Sequence, residues 1–153
     1  MTIFERDFDA LAVGERFVSE GRRIEESDIL AFATLTGDTH PQHVDPAWAE
    51  SSRFGEQIAH GLLVLACASG LMPFDPERIV ALRRVADAVF KQPVRIGDTV
   101  HVELEVTGVR PIDDQNGLVE SRWRVLNQHG RMVMRVSVEL VWRRAAVREP
   151  ILL

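Results

Sequence analysis

Between Gly61 and Met72 the chain carries Leu62, Leu63, Val64, Leu65, Ala66, Cys67, Ala68 and Leu71, with almost no polar face. A helix apolar on every side has to be buried, so the rest of the fold must wrap around it. The run falls short of the roughly 20 residues that span a bilayer. It therefore predicts a core helix from about His60 to Met72. Pro73 ends that helix, and Pro73-Phe74-Asp75-Pro76 reads as a loop.

Strand patterns fill the second half. Val100, Val102, Leu104 and Val106 alternate with His101, Glu103, Glu105 and Thr107, the period-two mark of a half-buried strand. Asn116-Gly117 predicts a tight turn into a strand from Leu118 to Leu126, and Asn127-Gln128-His129-Gly130 predicts a second turn. Met132, Met134, Val136, Val138, Leu140 and Trp142 then share one face of a last strand, with Arg135, Ser137, Glu139 and Arg143 opposite. An earlier strand is expected from Val80 to Gln92, and Pro93 to Asp98 leads out of it. The first half reads as helical. Ser27-Asp28 starts a helix bearing Ile29, Phe32, Ala33 and Leu35, and Gly37 stops it. Pro46 opens a short helix with Asp45 as its cap.

Several antiparallel strands and one wholly apolar helix imply an α+β fold with a curled sheet around that helix. Such a sheet leaves edges and apolar surface to cover, which predicts a homodimer. No repeat or linker divides the 153 residues, so 1–153 is read as a single domain. A formal net charge of -5, with scattered arginines, gives no nucleic-acid footprint. The first residues, Met1 to Asp7, lack the basic-then-apolar pattern of a signal peptide. A cytoplasmic protein without a membrane partner is the expectation. The single cysteine, Cys67, permits no internal disulfide and reads as a small core residue.

The densest polar cluster is Thr36-Gly37-Asp38-Thr39-His40-Pro41-Gln42-His43-Val44-Asp45. Asp38 and His43 share a turning segment, so a carboxylate and an imidazole there could hold one water and divide its protons. Spacing alone leaves two other readings open. One is a solvated loop; the other is a metal site using His40, His43 and Asp45 or His60. A second cluster, Phe54-Gly55-Glu56-Gln57-Ile58-Ala59-His60-Gly61, stands directly before the apolar helix. A glycine at a helix start offers free backbone N–H groups to an oxygen gaining negative charge. It also permits close packing, which is the plainer reading of Gly61.

The two clusters in order, Phe32 to Asp45 and then Phe54-Gly55 and Ile58-Ala59-His60-Gly61-Leu62, resemble the signature of the MaoC-like, or (R)-specific enoyl-CoA hydratase, family. The likeness continues through Ser69-Gly70-Leu71 and Pro93 to Val100. It implies a single hot-dog domain, usually dimeric, with no metal and no redox cofactor. It further implies that Asp38 and His43 are the catalytic pair and that the Gly61 N–H meets the thioester carbonyl. By the same resemblance, Ser69 helps order the polar site. The implied reaction adds water to, or removes it from, an acyl thioester of coenzyme A or an acyl carrier protein.

Two positions depart from the family pattern. His40 stands where asparagine is common, and Gln42 where an aliphatic residue is common, a change expected to make the loop more polar. His40 could still donate a hydrogen bond and is kept as a supporting site residue, although its charge would vary with pH. Arg83, Arg84, Lys91 and Arg95 are candidates for a carrier phosphate, against the plainer reading of a solvated strand edge. Rival functions are a hot-dog thioesterase and a non-catalytic acyl-thioester-binding subunit. The thioesterase needs a carboxylate on or near the central helix; Gly61 to Met72 has none, and Glu56 lies just ahead.

Overall fold

The computed structural model describes residues 1–146. Two single-turn helices, Ile3–Glu5 and Phe8–Ala10, precede the short strands β1 (Arg16–Val18) and β2 (Arg22–Arg23). Helices α1 (Glu26–Thr36), α2 (Pro41–Val44), α3 (Pro46–Glu50) and α4 (Gly61–Gly70) follow. The long strands are β3 (Ile79–Phe90), β4 (Thr99–Pro111), β5 (Asn116–Leu126) and β6 (Met132–Arg143). They form an antiparallel six-stranded sheet in the order β1-β4-β5-β6-β3, with β2 also paired to β4.

Alternation places the core. Val100, Val102, Leu104 and Val106 of β4, and Met134, Val136, Val138, Leu140 and Trp142 of β6, are buried on the face that meets α4. Leu63, Val64, Cys67 and Ala68 supply the helix side of the same core. Each such side chain stabilises by about 1.5–3 kcal/mol when fully buried. Trp142 ties the amino-terminal segment to the sheet: its Nε1 donates to the Arg6 carbonyl at 2.9 Å, and its ring stacks on Phe4 at 5.5 Å. Helix and curled sheet together make the hot-dog arrangement of an α+β fold. Among the described residues no helix is long and apolar enough to cross a membrane.

Three expectations need correction. Helix α4 stops at Gly70, ahead of Pro73, and only one of its faces is buried. Leu62 is 65% exposed, and it shares an open apolar cavity with Leu65, Ala66, Ser69, Leu82 and Val85. The adjoining edge strand β3 has no fully buried residue. The chain is thus apolar on both sides of α4 but covers only one itself.

The other two corrections concern hairpin and loop. Asn116-Gly117 does not form the turn. Asp113 accepts the N–H groups of Gln115 and Asn116, at 2.8 Å each, and so closes the turn earlier. Asn116 already pairs with Arg143 in β5, and Gly117 faces Trp142, with the Phe8 ring where a Cβ would stand. Finally, Gln42 does not add polarity to an open loop. It is buried, for a reason that lies in the site.

Candidate active site

Two cap-proline steps build the segment that carries His43. The His40 Nδ1 accepts the Gln42 N–H at 3.1 Å with Pro41 opening α2, and Asp45 accepts the Trp48 N–H at 3.1 Å with Pro46 opening α3. Proline costs nothing at a first helical position, because its missing N–H would have no partner there. Upstream, Gly37 ends α1 in the left-handed conformation (φ 80°) and turns Asp38 out of the helix. Asp38 is exposed and half-buried His43 lies close by.

A lattice of side-chain-to-backbone bonds locks the His43 segment against residues 56–58. The Gln42 amide donates to the Glu56 carbonyl (2.9 Å) and the Gln57 amide to the His43 carbonyl (2.8 Å). The Ile58 N–H donates to the Gln42 carbonyl at 3.3 Å. His43 Nδ1 lies 2.7 Å from the Ile58 carbonyl. A carbonyl only accepts, so Nδ1 carries a hydrogen, and in the neutral ring Nε2 keeps its lone pair. Burial depresses the His43 pKa, and the neighbouring His60 and His40 act in the same direction. The Ile58 carbonyl and the Asp38 carboxylate oppose them. The outcome is an imidazole biased toward its uncharged form, with a carboxylate nearby.

Donor atoms of Asp38, His43 and His60 all lie within 4.8 Å of one another. The rings of His43 and His60 nevertheless stack at 3.9 Å and 25°. Their in-plane lone pairs therefore run side by side, without converging at the roughly 2.0–2.1 Å of a histidine–zinc bond. Each ring also spends one nitrogen on a backbone carbonyl. This geometry does not suit a metal held by Asp38, His43 and His60.

His43 opens on a cleft of about 400 Å³ whose wall includes Phe54, Gly61, Leu62, Phe90 and Lys91. Gly61 begins α4, and its N–H has no acceptor among the described residues. A Cβ there would lie 2.7 Å from the Phe90 ring. The glycine therefore serves close packing as well as leaving its N–H free.

A family profile described as "MaoC like domain" matches residues 9–128. The chain belongs to the MaoC-like family. An (R)-specific enoyl-CoA hydratase from Aeromonas caviae is 30% identical over 125 residues, 82% of this chain and 90% of that protein. Protein MaoC from Klebsiella aerogenes is 33% identical over 102 residues, 66% of this chain, which spans only 30% of that longer relative. The MaoC-like dehydratase from Rhodospirillum rubrum superposes with a TM-score of 0.81 at 31% identity, covering 93% of this chain and 99% of that one. A Mycobacterium tuberculosis protein with a double hotdog fold reaches a TM-score of 0.85 at 20% identity, covering 98% of this chain and 48% of that one. That last likeness concerns the fold alone.

Within this MaoC-like domain the remaining candidates fall in different places. Ser69 is absent from the wall of the His43 cleft and lines the open apolar cavity on the outer face of α4. His40 acts as a helix cap and meets Trp48 edge-on at 5.4 Å. Its ring centre is 6.1 Å from that of His43, and it lies outside the cleft wall. Arg83 and Arg84 pair with Glu139, and Arg95 with Glu56, which leaves Lys91 as the basic candidate on the cleft. Cys67 is buried as expected, and burial raises its thiol pKa. Sequence reasoning did not foresee the buried glutamines. Neither carries a motif of its own, and their partners are backbone carbonyls.

Proposed function

We propose that this MaoC-like domain is an enoyl-thioester hydratase and 3-hydroxyacyl-thioester dehydratase, with Asp38 and His43 as its acid/base pair. The observation that carries this reading is His43, its charged form disfavoured by burial, with a ring nitrogen within 4.8 Å of an Asp38 carboxylate oxygen, on a cleft that also exposes Gly61. A water held by the pair yields one proton to it as the remaining hydroxide bonds to C3 of a 2,3-unsaturated thioester. The double-bond electrons move toward the carbonyl, and the enolate oxygen takes the Gly61 N–H. The proton then passes from the pair to C2, giving the 3-hydroxyacyl thioester and restoring the site. Dehydration reverses each step. The names of the Aeromonas caviae and Rhodospirillum rubrum relatives span both directions. The carrier is coenzyme A or an acyl carrier protein, with Lys91 available to its phosphate, and the expected product is the R alcohol.

The thioesterase alternative is weaker. Its candidate carboxylate, Glu56, is exposed, accepts from Arg95 at 2.9 Å and lies outside the cleft wall. Catalysis by the proposed route needs neutral His43, whose pKa is held down. The acid limb of the kcat/KM profile for hydration is therefore expected below the ordinary imidazole value of about 6.5. A limb above that value contradicts the role given to His43.

The working form proposed is a homodimer. The cavity of about 460 Å³ on the outer face of α4, flanked by Leu62, Leu82 and Val85 (65%, 60% and 43% exposed), supports an isologous contact along the edge strand β3. Ser69 would then lie at the seam between copies. Light scattering should give twice the mass of the chain, and Leu82→Arg should give one. A monomeric parent sinks the dimer reading.

A further inference from the structure

His60 is the least expected member of the site. It is only 2% exposed, and its ring lies between Phe32 of α1, at 4.9 Å, and His43 of α2, at 3.9 Å. Its Nε2 lies 2.9 Å from the backbone carbonyl of Asp38. A carbonyl cannot donate, so Nε2 carries the hydrogen. The other nitrogen, Nδ1, is buried without a partner. A buried polar atom left unsatisfied calls for a reason.

Comparison within the same chain supplies one. His40 and His60 are both N-cap residues with similar backbone angles (φ -54°, ψ 131° and φ -59°, ψ 137°). His40 turns its Nδ1 onto its own helix and accepts the Gln42 N–H. His60 makes no such cap, because its ring is turned away to reach Asp38. Two consequences follow. The first N–H groups of α4, Gly61 among them, keep no side-chain acceptor. Asp38 is meanwhile held through both halves of its backbone, since its N–H donates to Thr36 Oγ1 at 3.2 Å and its carbonyl accepts from His60.

We infer that His60 is a positioning residue of the hydration site: it holds the Asp38 main chain with Nε2–H, supports the His43 ring face to face, and leaves the start of α4 uncapped for the substrate carbonyl. The inference rests on the proposed chemistry for its kinetic consequence but not for its geometry. His60 touches no reacting atom. It acts through Asp38, His43 and Gly61, and the carbonyl it binds fixes a hydrogen on Nε2. A bare helix-capping histidine would instead direct Nδ1 at α4, as His40 does at α2.

The test compares His60→Gln, whose side-chain amide reaches the Nε2 position and keeps the donor, with His60→Phe, which keeps a stacking ring and loses it. His60→Leu repeats the second arm should phenylalanine not be accommodated. In the full chain, His60→Phe is expected to lower kcat on crotonyl-CoA by about 10²-fold, the usual scale for misplaced catalytic groups. KM should stay within about threefold, and His60→Gln should recover most of the loss. Independently of turnover, the Asp38 amide resonance should move in the phenylalanine or leucine variant and return toward the parent position in the glutamine variant. Equal losses in all variants, or an Asp38 resonance indifferent to the donor, overturn the inference. A parent without hydratase activity but with the donor-dependent resonance overturns the proposed chemistry and leaves the positioning geometry standing.

Discussion

Asp38→Asn is expected to lower hydration of an enoyl thioester by about 10²–10⁴-fold, the range for a lost acid/base group, with little change in melting temperature. Asp38 is exposed and makes no ion pair among the described residues. Its structural bonds run mainly through its backbone: the N–H to Thr36 and the carbonyl to His60. The asparagine keeps both of those, and its Oδ1 can still accept the His40 N–H at 3.4 Å, while the charge and one acceptor oxygen are lost. His43→Ala should reach a similar loss, and it also removes the bond to the Ile58 carbonyl and the stack on His60. Some loss of stability is therefore expected in that variant alone. Combining the two decides whether they share one task. Groups that act as a unit are strongly non-additive, so the double variant should be barely slower than the worse single one. Losses that multiply would show two independent contributions instead.

Gly61→Ala is expected to cost about 10²-fold in turnover, the scale of a displaced substrate, while the protein stays folded. The added methyl would stand 2.7 Å from the Phe90 ring, so that ring has to leave its place. It can do so, because Phe90 is 49% exposed in the single chain and lines the open cleft. Alanine is also the better helix former, by up to about 1 kcal/mol. Methyl and displaced ring then crowd the cleft beside the Gly61 N–H. Gly117 provides the contrast: there the obstructing ring is Phe8, 7% exposed and with nowhere to go. Adding Phe90→Ala to Gly61→Ala should restore part of the activity. Full activity in Gly61→Ala would mean that the carbonyl does not approach α4 at this point.

The elements that follow a local period were readable from the residues. Valines two apart in β4 and the unbroken apolar run of α4 each state which face is buried, whatever lies elsewhere in the chain. The outer face of α4 escaped for a physical reason. Apolarity says that a surface must be covered, not whether the same chain covers it. The Asn116-Gly117 turn was displaced because Asp113 competes for the same backbone N–H groups and wins through two of them. In the candidate site, Asp38, His43 and Gly61 were singled out by motif order. Gln42, Gln57 and His60 were not. Their partners are backbone carbonyls 14, 14 and 22 residues away, and a carbonyl looks the same beneath every side chain. Ser69 was placed by family likeness; it lines the second cavity along α4, which shares Leu62 with the cleft.

The most direct test incubates the purified chain with crotonyl-CoA, following absorbance of the conjugated thioester, the product mass and the release of free thiol, with Asp38→Asn in parallel. Hydratase chemistry predicts loss of absorbance, a product heavier by one water, no thiol, and collapse of all turnover in the variant. Thiol release without a hydrated product, or hydration that proceeds undiminished in Asp38→Asn, would contradict it.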